Sequence, residues 1–512
     1  MCGRGETGRR SGLKIRFPWS AGSSPAVRTI LLALAASIGG CNQRPDSGAV
    51  IVSAIGAAPT LVDPARGRPD VAARLLADST AEGLVRFDAV GQIEPGLAER
   101  WSVIDDGTSY IFRLREATWA GGDPVTADQI VEILQRQLGS GSRNPLKPFL
   151  TAIDEIVVMT PQVLEIRLKR PRPDLLKLFA QPELALFRSG SAARSASARG
   201  GGGPMRIAAA GRSLLLRPAF DTGLADPEDR RRTSPEQNVR LIGERAARAI
   251  ARFMNHDSDL VAGGSFVDRP LLAFAAIAPR NLRVDPAAGL FGLAIIDRAG
   301  FLAYPSNRAA ISAAIDRAAV TEAIAPDWDV ADRILPEALD SAAPPAVPAW
   351  TLQTLDQRRA AARAQVAAWT HGAIVLRIAM PEGPGATLAY AQIARSLQAI
   401  GVTPVRVGHR ATAELRLIDE VAPYDSARWY LANACALCGD VARQTLLAAR
   451  DAPTLAERSR LIAAADAALN DDVAFIPIAR PLRWSLVATR LSQWRPNVRA
   501  LHPLNRLRDD TN

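Results

Sequence analysis

The segment from Asp419 to Arg428 concentrates side chains that can hold a charged solute. Asp419, Glu420 and Asp425 stand within seven residues, and carboxylates so close together repel one another unless cations or hydrogen-bond donors compensate them. A buried carboxylate that faces an ammonium group forms a charge-assisted pair worth about 1.5–3 kcal/mol. We therefore expect Asp419, Glu420, Tyr424, Asp425 and Arg428 to bind the ligand, with the carboxylates facing a cationic group and Arg428 an anionic one. The carboxylates could equally remain in solvent or cap the next helix.

Cys435 and Cys438 form a second group with possible chemistry, a Cys-Ala-Leu-Cys motif. A zinc site needs two further ligands, and the histidines show no ligand spacing near the motif or one another: His256, His371, His409 and His502. Redox dithiols of the thioredoxin type lie at a helix start after a strand, whereas Ala-Asn-Ala precedes Cys435. We expect a local structural disulfide, with a thiol-disulfide function as the alternative, and no metal or cofactor. No phosphate-binding loop, HExxH or GxSxG motif indicates an enzyme.

The elements around the acidic segment predict an α/β domain. Ile374–Ala379 has the pattern of a strand, Leu388–Ile400 that of a helix and Val402–Val407 that of the next strand, and Gly401 provides a left-handed helix stop. Strand, helix and strand in about thirty residues predict parallel pairing with a right-handed crossover. A further strand over 414–418 would place the acidic residues just beyond its carboxyl end, where open α/β sheets bind ligands.

Two further helices are predicted on either side of this unit. Ser306 is a suitable N-cap for a helix over Asn307–Arg317, whose apolar residues we assign to the core. Thr454 and Glu457 have capping-box spacing and open a helix to about residue 469, and Val473–Ile478 follows as a strand.

The region Pro95–Val131 has strong local signals. Trp101–Ile104 and Ser109–Leu114 are β-prone runs joined by a turn in which Gly107 supplies positive φ. Thr126-Ala-Asp-Gln129 then has the spacing of a capping box and begins an amphipathic helix.

The same region resembles the bacterial extracellular solute-binding proteins of peptide, opine and nickel ABC importers, family 5. The run Pro-Gly-Leu-Ala-Glu at 95–99, the Asp-Gly turn and Pro-Val-Thr-Ala at 124–127 match that family's motif in order. The resemblance implies a non-enzymatic protein that closes on an oligopeptide or similar small solute and delivers it to an ABC permease and ATPase complex. It also implies that the loop after the strand at 414–418 lines the ligand cleft. A degenerate binding lipoprotein that acts as a sensor is a further alternative.

The family's fold is a two-lobed α/β periplasmic binding protein of the type II-like class, with an extra subdomain in lobe I. On this basis we expect lobe I over residues 41–286, with its subdomain at about 85–188, and lobe II over residues 287–472. Residues 473–512 would return to lobe I.

Residues 1–40 resemble a secretory signal. Thr29–Ile38 is an apolar stretch too short to span a bilayer, with Arg28 before it and Gly39-Gly40-Cys41 after it. Ile38–Cys41 resembles the bacterial lipobox, so we expect Cys41 to be lipidated and the protein to be periplasmic and membrane-anchored. An ordinary signal with an incidental cysteine is the alternative, and Val27 could be the true start.

Charge and composition argue against nucleic-acid binding. Without residues 1–40, the chain carries 56 basic and 51 acidic side chains, and aromatic residues make up 5% of the full chain. A nucleic-acid surface needs clustered basic residues with interleaved aromatics, and the arginines here are scattered.

Overall fold

A computed structural model describes residues 48–188, 201–211, 213–219 and 235–508. The predicted signal peptide and the lipidation site Cys41 lie outside these ranges. Within them, none of the helices combines the length and apolarity that a membrane crossing requires.

The strands and helices of this part of the chain are numbered in chain order. The strands are β1 (Val50–Ile55), β2 (Val85–Phe87), β3 (Ile93–Pro95), β4 (Ala98–Ile104), β5 (Ser109–Leu114), β6 (Ile153–Thr160), β7 (Val163–Leu168), β8 (Met205–Ala209), β9 (Leu214–Pro218), β10 (Val239–Glu244), β11 (Leu260–Ser265), β12 (Leu282–Asp285), β13 (Gly289–Ile295), β14 (Val375–Met380), β15 (Thr403–Gly408), β16 (Leu415–Val421), β17 (Phe475–Ala479) and β18 (Arg483–Val487). The helices are α1 (Val71–Thr80), α2 (Ala127–Leu138), α3 (Leu175–Phe179), α4 (Ala246–Met254), α5 (Pro305–Ala314), α6 (Arg317–Glu322), α7 (Leu355–Ala367), α8 (Pro384–Gln398), α9 (Ala427–Ala434), α10 (Asp440–Asp451) and α11 (Leu455–Asp472).

Lobe I is built on a seven-stranded mixed sheet with the order β12-β18-β11-β1-β10-β9-β8. Its central strand β1 pairs in parallel with β10 and β11, and the fully buried side chains of Val52, Leu241 and Leu260 belong to its core. The C-terminal segment contributes strand β18 and the side chains of Trp494 and Leu504 to this lobe. The segment from β18 to Leu504 is therefore part of the first lobe's core.

The subdomain of lobe I contains the four-stranded antiparallel sheet β4-β5-β7-β6, the β2-β3 pair and helix α2. The predicted hairpin is confirmed as β4 and β5, and its turn has positive φ not only at Gly107 but also at Asp105 and Asp106. The predicted capping box is also confirmed, because Thr126 and Gln129 satisfy each other's backbone N–H groups at the start of α2. Local sequence signals thus suffice for this subdomain.

Lobe II is built on a five-stranded sheet with the order β15-β14-β16-β13-β17. Strands β14 and β15 pair in parallel and are joined by α8, so the predicted strand–helix–strand unit is confirmed. Gly401, the predicted helix stop, has a φ of +89°, a value that a residue with a Cβ rarely adopts.

The chain passes between the two sheets twice, first from β12 to β13 and later from β17 to β18. Backbone packing is tight at the first passage, where a Cβ on Gly289 would lie 2.0 Å from the carbonyl oxygen of Glu420. The predicted return to lobe I after residue 472 is wrong for β17, because this strand pairs antiparallel with β13 and so belongs to lobe II. The return takes place at residues 480–482.

The predicted boundaries of β16 and α5 are also wrong. Strand β16 does not end at Ile418 but continues to Val421, because its pairing with β13 extends through Asp419 and Glu420. Helix α5 begins at Pro305, with Tyr304 at the N-cap, rather than after Ser306. Proline has no N–H and a fixed φ, which suit the first helical position. The helix then ends at Ala314, and the Asp316 side chain caps the short helix α6.

Candidate functional site

Residues from both lobes line a cavity of about 160 Å³ between the subdomain of lobe I and the helices of lobe II. Charged and amide side chains form one part of the lining, and apolar side chains form the other. The lining residues are Arg68, Arg74, Pro145, Leu146, Phe149, Gln181, Glu183, Glu420, Val421, Ala422, Pro423, Trp429, Asn433 and Arg499.

The Arg68–Glu420 ion pair crosses from lobe I to lobe II at the cavity. Arg68 precedes helix α1, and Glu420 lies near the end of strand β16. The Arg68 Nη1 atom donates to Glu420 Oε1 at 2.7 Å, and the two side chains are 58% and 27% exposed. A pair with that exposure contributes little to stability.

Glu183 is a carboxylate that lies in the cavity wall with 6% exposure. It follows helix α3 in a short apolar stretch, and Arg74 Nε lies 3.1 Å from its Oε1 atom. Among the described residues, Glu183 Oε2 has no hydrogen-bond partner. Buried polar atoms without partners are rare in native proteins, so Glu183 Oε2 is the atom of this pair that can accept a further hydrogen bond.

Asp425 bridges two cations of lobe I from its position just before helix α9. Its Oδ2 atom accepts from Lys177 Nζ at 2.7 Å, and its Oδ1 atom accepts from Arg499 Nη2 at 2.5 Å. Burial disfavours the charged form, but the contacts with Lys177 and Arg499 outweigh it and lower the pKa of Asp425. Arg499 also donates to the carbonyl oxygen of Ala422. Asp425 therefore ties lobe II to lobe I in this structure.

Apolar and aromatic contacts lie beside these ion pairs. The Phe149 ring, from the subdomain, meets the Tyr424 ring edge-on with centroids 5.8 Å apart. The Arg428 guanidinium lies 5.4 Å from the centroid of the Phe149 ring. Burial raises the pKa of Tyr424 and lowers that of Arg428, since each charged form is poorly solvated there. Both residues pack lobe II onto the subdomain.

Asp419 forms an ion pair at the passage between the two sheets. Its Oδ1 and Oδ2 atoms accept from Arg483 Nη1 at 2.8 and 3.0 Å, and Arg483 Nη2 donates to its backbone carbonyl. Arg483 is the first residue of β18, so the pair joins the two sheets.

Of the five predicted ligand contacts, the cavity lining includes Glu420. Asp419 lies in a strand rather than in a loop, and Tyr424, Asp425 and Arg428 lie between the lobes without entering the lining. The ligand contacts themselves stay a prediction. Sequence reasoning missed Arg68, Arg74 and Glu183, although a single acid within the apolar stretch 178–187 was a usable signal for the last of these.

The structure links Cys435 and Cys438 by a disulfide. Cys435 is the C-cap of α9, and Cys438 is 7% exposed in the connection to α10. The part of the chain that the structure describes contains no group of three or more His, Cys, Asp or Glu residues placed to hold a metal ion.

Comparison with known proteins identifies related chains. Residues 92–408 match the model of the bacterial extracellular solute-binding proteins, family 5 middle region. The probable deoxycholate-binding periplasmic protein YgiS of Escherichia coli is 38% identical over 93 residues, which is 18% of this chain and 17% of that protein. The chain thus aligns with less than a fifth of this curated relative's length.

Solved structures match over nearly the whole chain. The Escherichia coli murein tripeptide binding protein MppA has a TM-score of 0.76 at 19% identity and covers 91% of this chain and 99% of its own. Haemophilus influenzae OppA in complex with the peptide RPPGFSPFR has a TM-score of 0.75 at 16% identity, again covering 91% and 99%. These matches confirm the predicted two-lobed α/β fold class.

Proposed function

Because the chain belongs to the bacterial extracellular solute-binding proteins of family 5, we propose that it is the periplasmic solute-binding component of an ABC importer. It captures a small, peptide-like solute between its lobes and delivers it to the permease and ATPase complex. Cys41 carries the lipid that anchors it to the membrane. The relatives named above are a probable deoxycholate-binding protein, a murein tripeptide binding protein and a protein solved in complex with the peptide RPPGFSPFR.

One observation carries this proposal: the cavity is lined by residues of both lobes, and side-chain pairs close it. Arg68 with Glu420, and Lys177 with Asp425, join lobe I to lobe II beside the cavity. Gln181 also donates to the carbonyl oxygen of Pro423 across the same interface. A solute in this cavity would contact both lobes and stabilise the closed form relative to the open one, as hinge closure requires.

The proposal is tested by filling the cavity. In Asn433→Trp, a bulky ring on α9 replaces an amide of the lining, whereas Ala436→Trp places the same ring on an exposed residue two positions beyond that helix. Thermal shift against a panel of peptides, opines and metal chelates identifies binding solutes, because a ligand of the native state raises the melting temperature. X-ray scattering with and without each binding solute then measures whether the radius of gyration of the protein decreases.

We expect at least one class of the panel to stabilise the wild type and the Ala436→Trp variant and to make both more compact. The Asn433→Trp variant should lose at least a factor of ten in affinity, about 1.4 kcal/mol. Undiminished binding in Asn433→Trp would place the solute elsewhere and remove the basis of the proposal.

A further inference from the structure

We propose that the solute is a free amino acid with an apolar side chain, or a zwitterion of that size, with its ammonium at Glu183 and its carboxylate at Arg74. This assignment rests on the proposed function and names the chemistry of the same cavity. It is argued from the size of the cavity, from the unpartnered Glu183 Oε2 atom and the adjacent Arg74 guanidinium, and from the charges and apolar side chains around them.

With the interlobe pairs formed, the size of the cavity suits a solute of about one residue. A protein cavity of about 150 Å³ holds benzene, and the cavity here measures about 160 Å³ with the interlobe pairs formed. A single amino acid with its side chain has dimensions of that order, whereas a peptide such as RPPGFSPFR, which occupies Haemophilus influenzae OppA, is several times larger. The Arg68–Glu420 and Lys177–Asp425 contacts would have to separate to admit it.

The polar part of the wall requires both a donor and an acceptor from the solute. Glu183 Oε2 lacks a hydrogen-bond donor, and the Arg74 guanidinium has N–H groups besides Nε that can donate to an acceptor. These two side chains approach to 3.1 Å. An amino acid carries its ammonium and its carboxylate on one carbon atom, so both groups can reach adjacent partners at once. A simple amine or a simple carboxylate would satisfy only one of them.

The balance of charge around the cavity favours a solute without net charge. Each arginine of the lining has a carboxylate beside it, as the pairs Arg68 with Glu420, Arg74 with Glu183 and Arg499 with Asp425. A solute with a net charge would leave one charge unbalanced beside the buried Glu183, which is unfavourable. A zwitterion adds one charge of each sign.

The remaining part of the wall is apolar and aromatic. Leu146 and Phe149 come from the subdomain and Trp429 comes from α9, and Leu146 and Trp429 are almost fully buried. A polar side chain placed against this wall would lose its hydration without compensation. The apolar wall therefore selects amino acids such as leucine or phenylalanine.

The test is calorimetric titration of the mature chain with L-leucine and L-phenylalanine, followed by three kinds of analogue. One lacks the amine (3-phenylpropanoate), one lacks the carboxylate (phenethylamine), and the third adds residues (Phe-Ala and Phe-Ala-Ala). We expect the better of the two amino acids to bind at least tenfold more tightly than each analogue.

The second part of the test uses variants of the protein. Glu183→Gln should bind this amino acid at least tenfold more weakly than the wild type. Arg74→Gln should have the same effect, and it replaces Glu183→Gln as the test if that variant folds poorly. Glu155→Gln, which changes a 61% exposed carboxylate of the subdomain, should bind like the wild type.

Three outcomes would overturn the assignment. These are tighter binding of Phe-Ala-Ala than of either amino acid, no binding of either amino acid, or equal affinity in the wild type and in folded Glu183→Gln and Arg74→Gln variants. The proposed function would survive each of them if another solute still binds and Asn433→Trp still blocks it. Binding that is insensitive to Asn433→Trp would instead count against the proposed function itself.

Discussion

Arg483 holds Asp419 through both carboxylate oxygens and the backbone carbonyl, and this pair connects the first strand position of β18 in lobe I to β16 in lobe II. The sequence indicated a ligand anchor at Asp419, but the structure gives this carboxylate a partner within the chain. At the same passage between the sheets, Gly289 of β13 packs against the backbone of Glu420. The pair therefore fixes the junction from which both lobes extend.

We expect Asp419→Asn to lower the free energy of unfolding by about 3 kcal/mol, because it leaves the Arg483 guanidinium without its counterion in a largely buried position. Denaturant titration of the purified variant measures this. Asp440→Asn is the matched control, since Asp440 is 75% exposed and pairs with Arg443 on one helix face. It should change stability by less than about 0.5 kcal/mol. Equal effects of the two substitutions would contradict the structural role of Asp419.

Asp425→Asn should lower the free energy of unfolding by about 1–2 kcal/mol near pH 7, since it removes the charged acceptor of Lys177 and Arg499. The pKa of Asp425 is lowered in the folded state, so its contribution is complete above the unfolded value of about 4. It is lost as the pH falls through the lower folded pKa. Urea titrations between pH 7 and pH 3 should show the wild type and the variant converging at the acid end. A constant difference at all pH values would be inconsistent with this linkage.

We expect Cys435 and Cys438 to be oxidised in protein taken from the periplasm. Alkylation without reductant should leave both cysteines unmodified. After reduction, alkylation should add one alkyl group to each of them, which mass spectrometry detects. The loop that they close is short, so the double substitution Cys435→Ser and Cys438→Ser should cost only about 2 kcal/mol by the chain-entropy relation. Two freely alkylated thiols before reduction would disprove the structural disulfide, and efficient reduction of insulin would favour the thiol-disulfide alternative.

Cys41→Ser should release the protein into the soluble periplasmic fraction. The expectation comes from the apolar stretch Thr29–Ile38 and the Ile38–Cys41 motif. One acyl chain binds membranes weakly, and stable anchoring takes more than one. Labelled fatty acid should be incorporated by the wild type and not by the variant. Identical fractionation of the two proteins, with no label in either, would rule out the lipid anchor.

Local sequence signals predicted those parts of the fold in which the deciding residues are neighbours in the chain. The hairpin of β4 and β5 depends on one turn, and the capping box of α2 on residues three positions apart. The unit of β14, α8 and β15 likewise depends on the period of its apolar residues and on Gly401. For such elements the physical cause is contained within a window of a few residues.

The candidate site could not be predicted in the same way, because contacts between distant residues create it. Arg68 and Glu420 are 352 positions apart, and Lys177 and Asp425 are 248 positions apart. The acids at 419–425 were correctly identified as needing compensation, but their partners come from the other lobe. Strand β16 also extended past the expected boundary because β13, more than 120 residues earlier, supplies its pairing partner. No pattern within one segment contains that information.

Lobe II is an insertion within the chain of lobe I. Strand β13 at its beginning and strand β17 at its end pair antiparallel, with Phe291 opposite Ala479, so the two ends of the inserted portion emerge side by side. A protein fragment covering residues 287–481 would accordingly have its two termini close together. Asp285 and Arg483 are already paired in β12 and β18, so a short linker between them would restore a continuous chain for lobe I. The architecture therefore lends itself to circular permutation and to exchange of the inserted lobe between relatives.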